Sequence, residues 1–106
     1  MPTFTVRCLF RWAPRDDQLR KYLYEERITL WQANSLDEAL ALAEREARSY
    51  AIDGDEYLDY CQGYALFDEV NANGIEVFSL LRDSDLEPEQ YIDAFFDSGL
   101  EREVKA

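Results

Sequence analysis

The chain has 106 residues, with 23 acids against 11 bases, no histidine and a formal net charge of −12. That length supports one core and is too short for two, and the chain reads as a single α+β domain over residues 1–106. A 47% hydrophobic and 14% aromatic content is enough to build that core, which excludes global disorder. Without histidine there is neither a Ser–His–Asp nor a Cys–His centre within one chain, and two cysteines cannot make a four-thiolate zinc site. The four glycines, Gly54, Gly63, Gly74 and Gly99, are too scattered for any phosphate-cradling loop.

The first strand is predicted over residues 3–12. Phe4, Val6, Cys8, Phe10 and Trp12 alternate onto one face, with Thr3, Thr5, Arg7 and Arg11 mostly on the other. This alternation also differs from the apolar block of a secretory leader, and the longest uncharged apolar stretch, Ala39 to Ala43, cannot span a bilayer, so a cytoplasmic location is expected. A polar connection opened by Pro14 leads to a second strand from Tyr22 to Ala33, and the two should pair antiparallel. Ser35-Leu36-Asp37-Glu38 reads as a capping box opening a helix, with Leu36, Ala39, Leu40, Ala43 and Ala47 at helical spacing. That helix should fade near Tyr50 and break at Asp53-Gly54-Asp55.

A third strand is predicted from Tyr57 to Val70. Asn71-Ala72-Asn73-Gly74 is the strongest turn signal in the chain, answered by a fourth strand from Ile75 to Leu81. Pro88 suits the first turn of a second helix, whose apolar face is Tyr91, Ile92, Phe95 and Phe96 and whose expected stop is Gly99. The charged tail, residues 100–106, is expected to fray. The order β-β-α-β-β-α suggests a four-stranded antiparallel sheet with both helices packed on one face.

Glu25-Glu26-Arg27-Ile28-Thr29-Leu30-Trp31-Gln32-Ala33, followed by Ser35-Leu36-Asp37-Glu38-Ala39, resembles a small bacterial family described only as a domain of unknown function, number four-two-eight-eight. Gly63 to Glu69 and Gly74 to Ser79 resemble that family's second strand pair, so the likeness covers about residues 3–82 and leaves the Pro88–Phe96 helix outside. It implies a bacterial origin and the fold above, and it brings no catalytic residue and no cofactor.

The charge is unevenly placed. Residues 1–52 balance at eight acids and eight bases, residues 53–69 hold six acids and no base, residues 70–82 cancel, and residues 83–106 hold eight acids and two bases. An acidic excess of this kind favours a basic protein partner and repels nucleic acid. Asp55, Asp59, Asp85 and Glu87 are the candidate docking residues. Asp53-Gly54-Asp55-Glu56 with Asp59 fails as a calcium loop, because glycine stands second instead of sixth and Tyr64 occupies the twelfth position. Glu25 and Glu26 are adjacent on a strand, so they point to opposite faces and cannot flank one bond.

The third strand carries aromatics on both faces, Tyr57 and Phe67 on one and Tyr60 and Tyr64 on the other. A strand apolar on both faces asks for cover on both. With two helices on one face, the second cover would be another copy, which makes these four residues the candidate self-association surface of a homodimer. Cys8 and Cys61, 53 positions apart in no metal or redox spacing, are expected to be reduced and structural. The expected function is that of a small bacterial binding or adaptor protein without catalysis or cofactor, of immunity or inhibitor type. The alternative is a carboxylate-based metal-binding module or minor enzyme.

Overall fold

A computed structural model of the chain describes residues 1–71, 73–96 and 102–104, the last three by their backbone. The elements run β1 (Thr3–Trp12), β2 (Tyr22–Gln32), α1 (Leu36–Tyr50), β3 (Glu56–Ala65), β4 (Ile75–Ser84), α2 (Pro88–Phe95) and β5 (Arg102–Val104). This is an α+β architecture in the predicted order, built on an antiparallel sheet. The tail contributes a short fifth strand that pairs with Cys61–Gly63, where fraying was expected at residues 102–104. Gly99, the expected helix stop, lies outside the described residues.

Strand order is β4-β2-β1-β3-β5, so β3 and β4 sit on opposite sides of the β1–β2 hairpin and do not pair. The turn signal at Asn73-Gly74 is real: Gly74 has φ 75°. It hooks the chain onto β2, where Gly74 N donates to Leu30 O at 2.7 Å and Gln32 N donates to Asn73 Oδ1 at 3.0 Å. β3 stops at Ala65, five residues before the predicted Val70, because its partner β1 begins at Thr3. Leu66 N and Val70 N donate to Thr3 O and Thr3 Oγ1 at 2.9 and 2.7 Å. The freed connection, residues 66–74, must cross three strand spacings, about 14 Å. Nine residues reach that distance easily, whereas a two-residue turn does not.

The helices lie on opposite faces, which corrects the one-face arrangement. Phe4, Val6, Cys8 and Phe10 of β1 form one core with Trp31, Tyr57 and Cys61 beneath Ala39, Leu40, Ala43 and Ala47 of α1. Leu9, Tyr24 and Tyr60 form the other beneath Tyr91 and Ile92 of α2, with Phe96 just past its end. The reason is in β1 and β3 themselves: Leu9 and Tyr60 point away from α1 and are 0% and 1% exposed, so a single covered face would leave them in water. Ser35 caps α1 by accepting from Glu38 N at 3.1 Å, and Glu38 reaches back to Asn34 N at 2.9 Å. α1 approaches β3 closely over Gly63, where a Cβ would stand 2.7 Å from Leu36 Cδ1.

Cys8 and Cys61 face each other directly across the β1–β3 ladder, buried beneath α1, and both are reduced. The hydrogen bond with Cys61 and burial push the Cys8 thiol well above its usual range, so little thiolate forms. Both thiols are therefore expected to resist an aromatic disulfide reagent in the native protein and to react together on unfolding. Rapid labelling of either in the folded state would contradict that packing.

Candidate functional site

Three chain segments meet at one end of the sheet: the β1–β2 loop, the start of β3 and the passage from β4 to α2. Register sets this meeting, since Arg11 stands opposite Glu56 and Tyr22 opposite Ser84. Segments 11–21, 53–56 and 83–89 bring nine acids and four bases together there. Three of the four predicted docking acids converge on it. Asp55 Oδ1 accepts from Ala13 N at 2.9 Å, and Asp85 accepts from Lys21 N at 3.0 Å and from the Arg20 guanidinium at 3.1 Å. Glu87 accepts from the Tyr22 hydroxyl and lies 3.7 Å from Lys21 Nζ. The Tyr22 bond, helped by Lys21, holds the Glu87 carboxyl below its usual range. Asp59 stands apart, with φ 56° and an ion pair to Arg48 at 3.3 Å.

Among the described residues, the acids of 53–56 and 83–89 meet at this end while Asp59 lies apart. These two segments flank a hairpin loop carrying Arg15, Arg20 and Lys21, and several of their carboxylates fasten that loop. Asp83 does the same, accepting from Leu19 N at 2.8 Å and Arg20 N at 3.0 Å. Sequence alone signals the acids but not the loop, because these partners lie more than 40 positions away.

Of the predicted self-association residues, Tyr57 and Tyr60 are core residues, 8% and 1% exposed, one under each helix. Tyr64 is 38% exposed, and its hydroxyl donates to Gln62 Oε1 at 2.9 Å. Phe67 is fully exposed on the connection after β3. The second face of β3 is covered by the chain's own α2, so the argument for an external cover over Tyr57 and Tyr60 does not hold.

Glu25 and Glu26 point to opposite faces as alternation requires, and both are 2% exposed. Under α1, Glu25 accepts from Trp12 Nε1 at 2.9 Å, from the Tyr50 hydroxyl at 2.9–3.0 Å and from the Ser79 hydroxyl. Nearby, Arg27 pairs with Glu46 and Glu76 and lies over the Tyr50 ring at 3.8 Å. On the α2 face, Glu26 pairs with Arg7 and with Arg82 at 3.1 Å, and it accepts from the Tyr91 hydroxyl at 2.6 Å. Arg7 stacks at 3.8 Å on Phe96 and Arg82 at 4.0 Å on Phe95, so the guanidinium groups tie α2 to the sheet. Each carboxylate is enclosed by its donors. Both are structural centres, and no local motif in the sequence marks them as such.

Three clefts lie at the hairpin end. The largest of the three, about 300 Å³, is lined by Arg11, Trp12, Pro14, Lys21, Tyr22 and Gly54, and the others by residues of the same loop, of β1, β2 and β4, of the end of α1 and of the α1–β3 turn. None of these linings includes Glu25 or Glu26. Among the described residues no group of three or more His, Cys, Asp or Glu side chains is placed to hold a metal ion. Among them, too, no helix is long and apolar enough to cross a membrane.

The buried tyrosines set the alkaline limit. Burial pushes Tyr24 up to about 12, and burial with the hydrogen bond to Glu25 does the same for Tyr50. A hydroxyl whose pKa is raised on folding stabilises the fold fully below its unfolded value near 10, and that stability is lost as pH rises through 12. Ultraviolet titration is expected to show late, cooperative tyrosinate formation with unfolding between about pH 10 and 12. Independent, reversible ionisation near pH 10 with the fold intact would refute it.

The described chain thus defines an antiparallel α+β domain with one helix on each face and an acid-rich end organised around a hairpin loop. No family model, curated protein or solved structure matches it.

Proposed function

We propose that the chain is a small non-catalytic binding or adaptor protein of a bacterial cytoplasm, immunity- or inhibitor-like, that receives a basic protein partner at the acid-rich hairpin end. The observation that carries this reading is the convergence of Asp55, Asp85 and Glu87 with Asp53, Glu56, Asp83 and Glu89 on one end of the sheet. With Asp16 and Asp17 of the loop added and four bases interleaved, that end carries a balance of −5. The exposed carboxylates supply long-range attraction, while the held loop offers a shaped surface with Trp12 and Tyr22 in its largest cleft. The resemblance to the bacterial family of unknown function belongs to this reading. Asp59, on the Arg48 side, adds to the general field more than to the contact.

The test begins with crosslinked capture from the source cell and continues with association kinetics on the basic protein recovered. Steering by the acidic end should slow association steeply as salt rises, because the Debye length falls from roughly 30 Å at 0.01 M to about 8 Å at physiological strength. Asp55→Asn, Asp59→Asn, Asp85→Asn and Glu87→Gln together should slow association and barely change dissociation. The amides keep an acceptor oxygen for the loop N–H groups, so the loop stays in place. An on-rate indifferent to both salt and these substitutions would leave the acids as a solubility coat.

A further inference from the structure

We propose that the outer edge of β4 is a self-association surface, to which a second copy of this chain adds its own β4 antiparallel and so continues the sheet. The two edges of the sheet are treated differently. β3 is paired on its outer side by β5 over Cys61–Gly63, whereas among the described residues β4 pairs with β2 alone. β4 is ten residues long and exposes Ile75, Val77, Phe78 and Leu81 by 54, 50, 51 and 41%. An edge strand that stays unpaired is usually blunted by lysine, proline or an inward charge. Val77–Leu81 contains none of these. Its one irregularity is a step in register that leaves Val77 without an opposite residue on β2, and beyond it Phe78–Ser84 runs regularly against Tyr22–Ile28.

Charge selects the occupant. Residues 70–82 contain one acid and one base, and both are committed within the chain, Glu76 to Arg27 and Arg82 to Glu26. The bare edge is therefore the neutral stretch between two acidic ones. A basic partner finds no carboxylate to grip there, and a second copy meets the least repulsion. Charge also sets the direction. β4 ends at Asp83, Asp85 and Glu87 and begins beside Asn71, Asn73 and Gly74, so antiparallel pairing puts the two acidic ends far apart, while parallel pairing would align them. A two-fold axis through the antiparallel pair makes the contact isologous, each copy presenting Phe78 and Leu81 to the other. This surface is separate from the acid-rich end and stands or falls without it.

Sedimentation of the full chain from micromolar to millimolar concentration should show the mass rising from 12.4 kDa towards twice that value. Added salt should strengthen this association by screening the two like-charged copies, the reverse of its effect on capture of a basic partner. Phe78→Lys should remain monomeric throughout. Phe67→Lys, at a fully exposed aromatic off the edge, should dimerise like the parent. Amide hydrogen exchange in the parent should slow with concentration in residues 78–83, and this reading decides the matter if the Phe78 variant does not fold. A parent that stays at 12.4 kDa at every concentration, or a dimer that survives Phe78→Lys or leaves exchange at 78–83 unchanged, overturns the proposal.

Discussion

Glu26→Gln is expected to lower the unfolding free energy by about 3 kcal/mol, which for a domain near this length corresponds to roughly 15 °C in Tm. The neighbouring Glu25→Gln should cost less than about 1.5 kcal/mol. The two carboxylates are adjacent and equally buried, so the difference lies in their partners. Glu26 faces Arg7, Arg82 and the Tyr91 hydroxyl. A guanidinium only donates, so a glutamine amide N–H₂ placed against it leaves donor facing donor and two cations short of their counter-charge. Glu25 faces Trp12, Tyr50 and Ser79, and the two hydroxyls can turn to accept from an amide. Thermal unfolding of both variants is the measurement, and equal losses would show that the Arg7–Glu26–Arg82 group does not hold the α2 face.

Tyr91→Ala is expected to cost about 3–5 kcal/mol, the range for emptying a fully buried aromatic site. Tyr91 is 0% exposed, its ring centroid lies 4.1 Å from that of Tyr24, and its hydroxyl reaches Glu26. Removing it strips α2 of its main anchor and opens Leu9, Tyr60 and Phe96 to solvent, so the variant should also bind a hydrophobic dye. Tyr91→Phe keeps the ring but loses the hydroxyl's bond to Glu26 and the one it accepts from Arg82, and should cost about 2–3 kcal/mol. Because Tyr91→Phe and Glu26→Gln both alter the Tyr91–Glu26–Arg82 network, their double variant should depart from additivity by about 0.5–3 kcal/mol. A Tyr91→Ala protein within 1 kcal/mol of the parent would mean that α2 does not cover the second face.

Glu25 and Glu26 also show how far local pattern reaches. Alternation placed them on opposite faces, correctly, since side-chain direction along a strand follows from the backbone alone. What each carboxylate meets there depends on Arg7 and Tyr91 for one and on Trp12, Tyr50 and Ser79 for the other, up to 65 positions away. The acid-rich end was legible as two charged stretches. That Asp55, Asp85 and Glu87 fasten one hairpin loop was not, because each bond is made between strands whose order is not written in either segment. Alternation puts Tyr57 and Tyr60 on opposite faces of one aromatic strand, yet the pattern does not tell a second helix from a second molecule as the cover.

Periodicity, caps and turn chemistry in the sequence by itself determined the element types, most of their bounds and the antiparallel β1–β2 pair, because these depend on residues within a few positions of one another. The Ser35 cap, the Pro88 start and the Gly74 turn are of this kind. The tertiary structure alone decided that β4 joins β2 instead of β3, that α2 takes the face opposite α1, and that among the described residues one apolar edge has no partner strand. Those choices follow from burying Leu9, Tyr24 and Tyr60 as well as Phe4, Val6 and Phe10. That requirement falls on the whole sheet at once, and a local turn signal such as Asn73-Gly74 bends the chain without naming the strand it returns to.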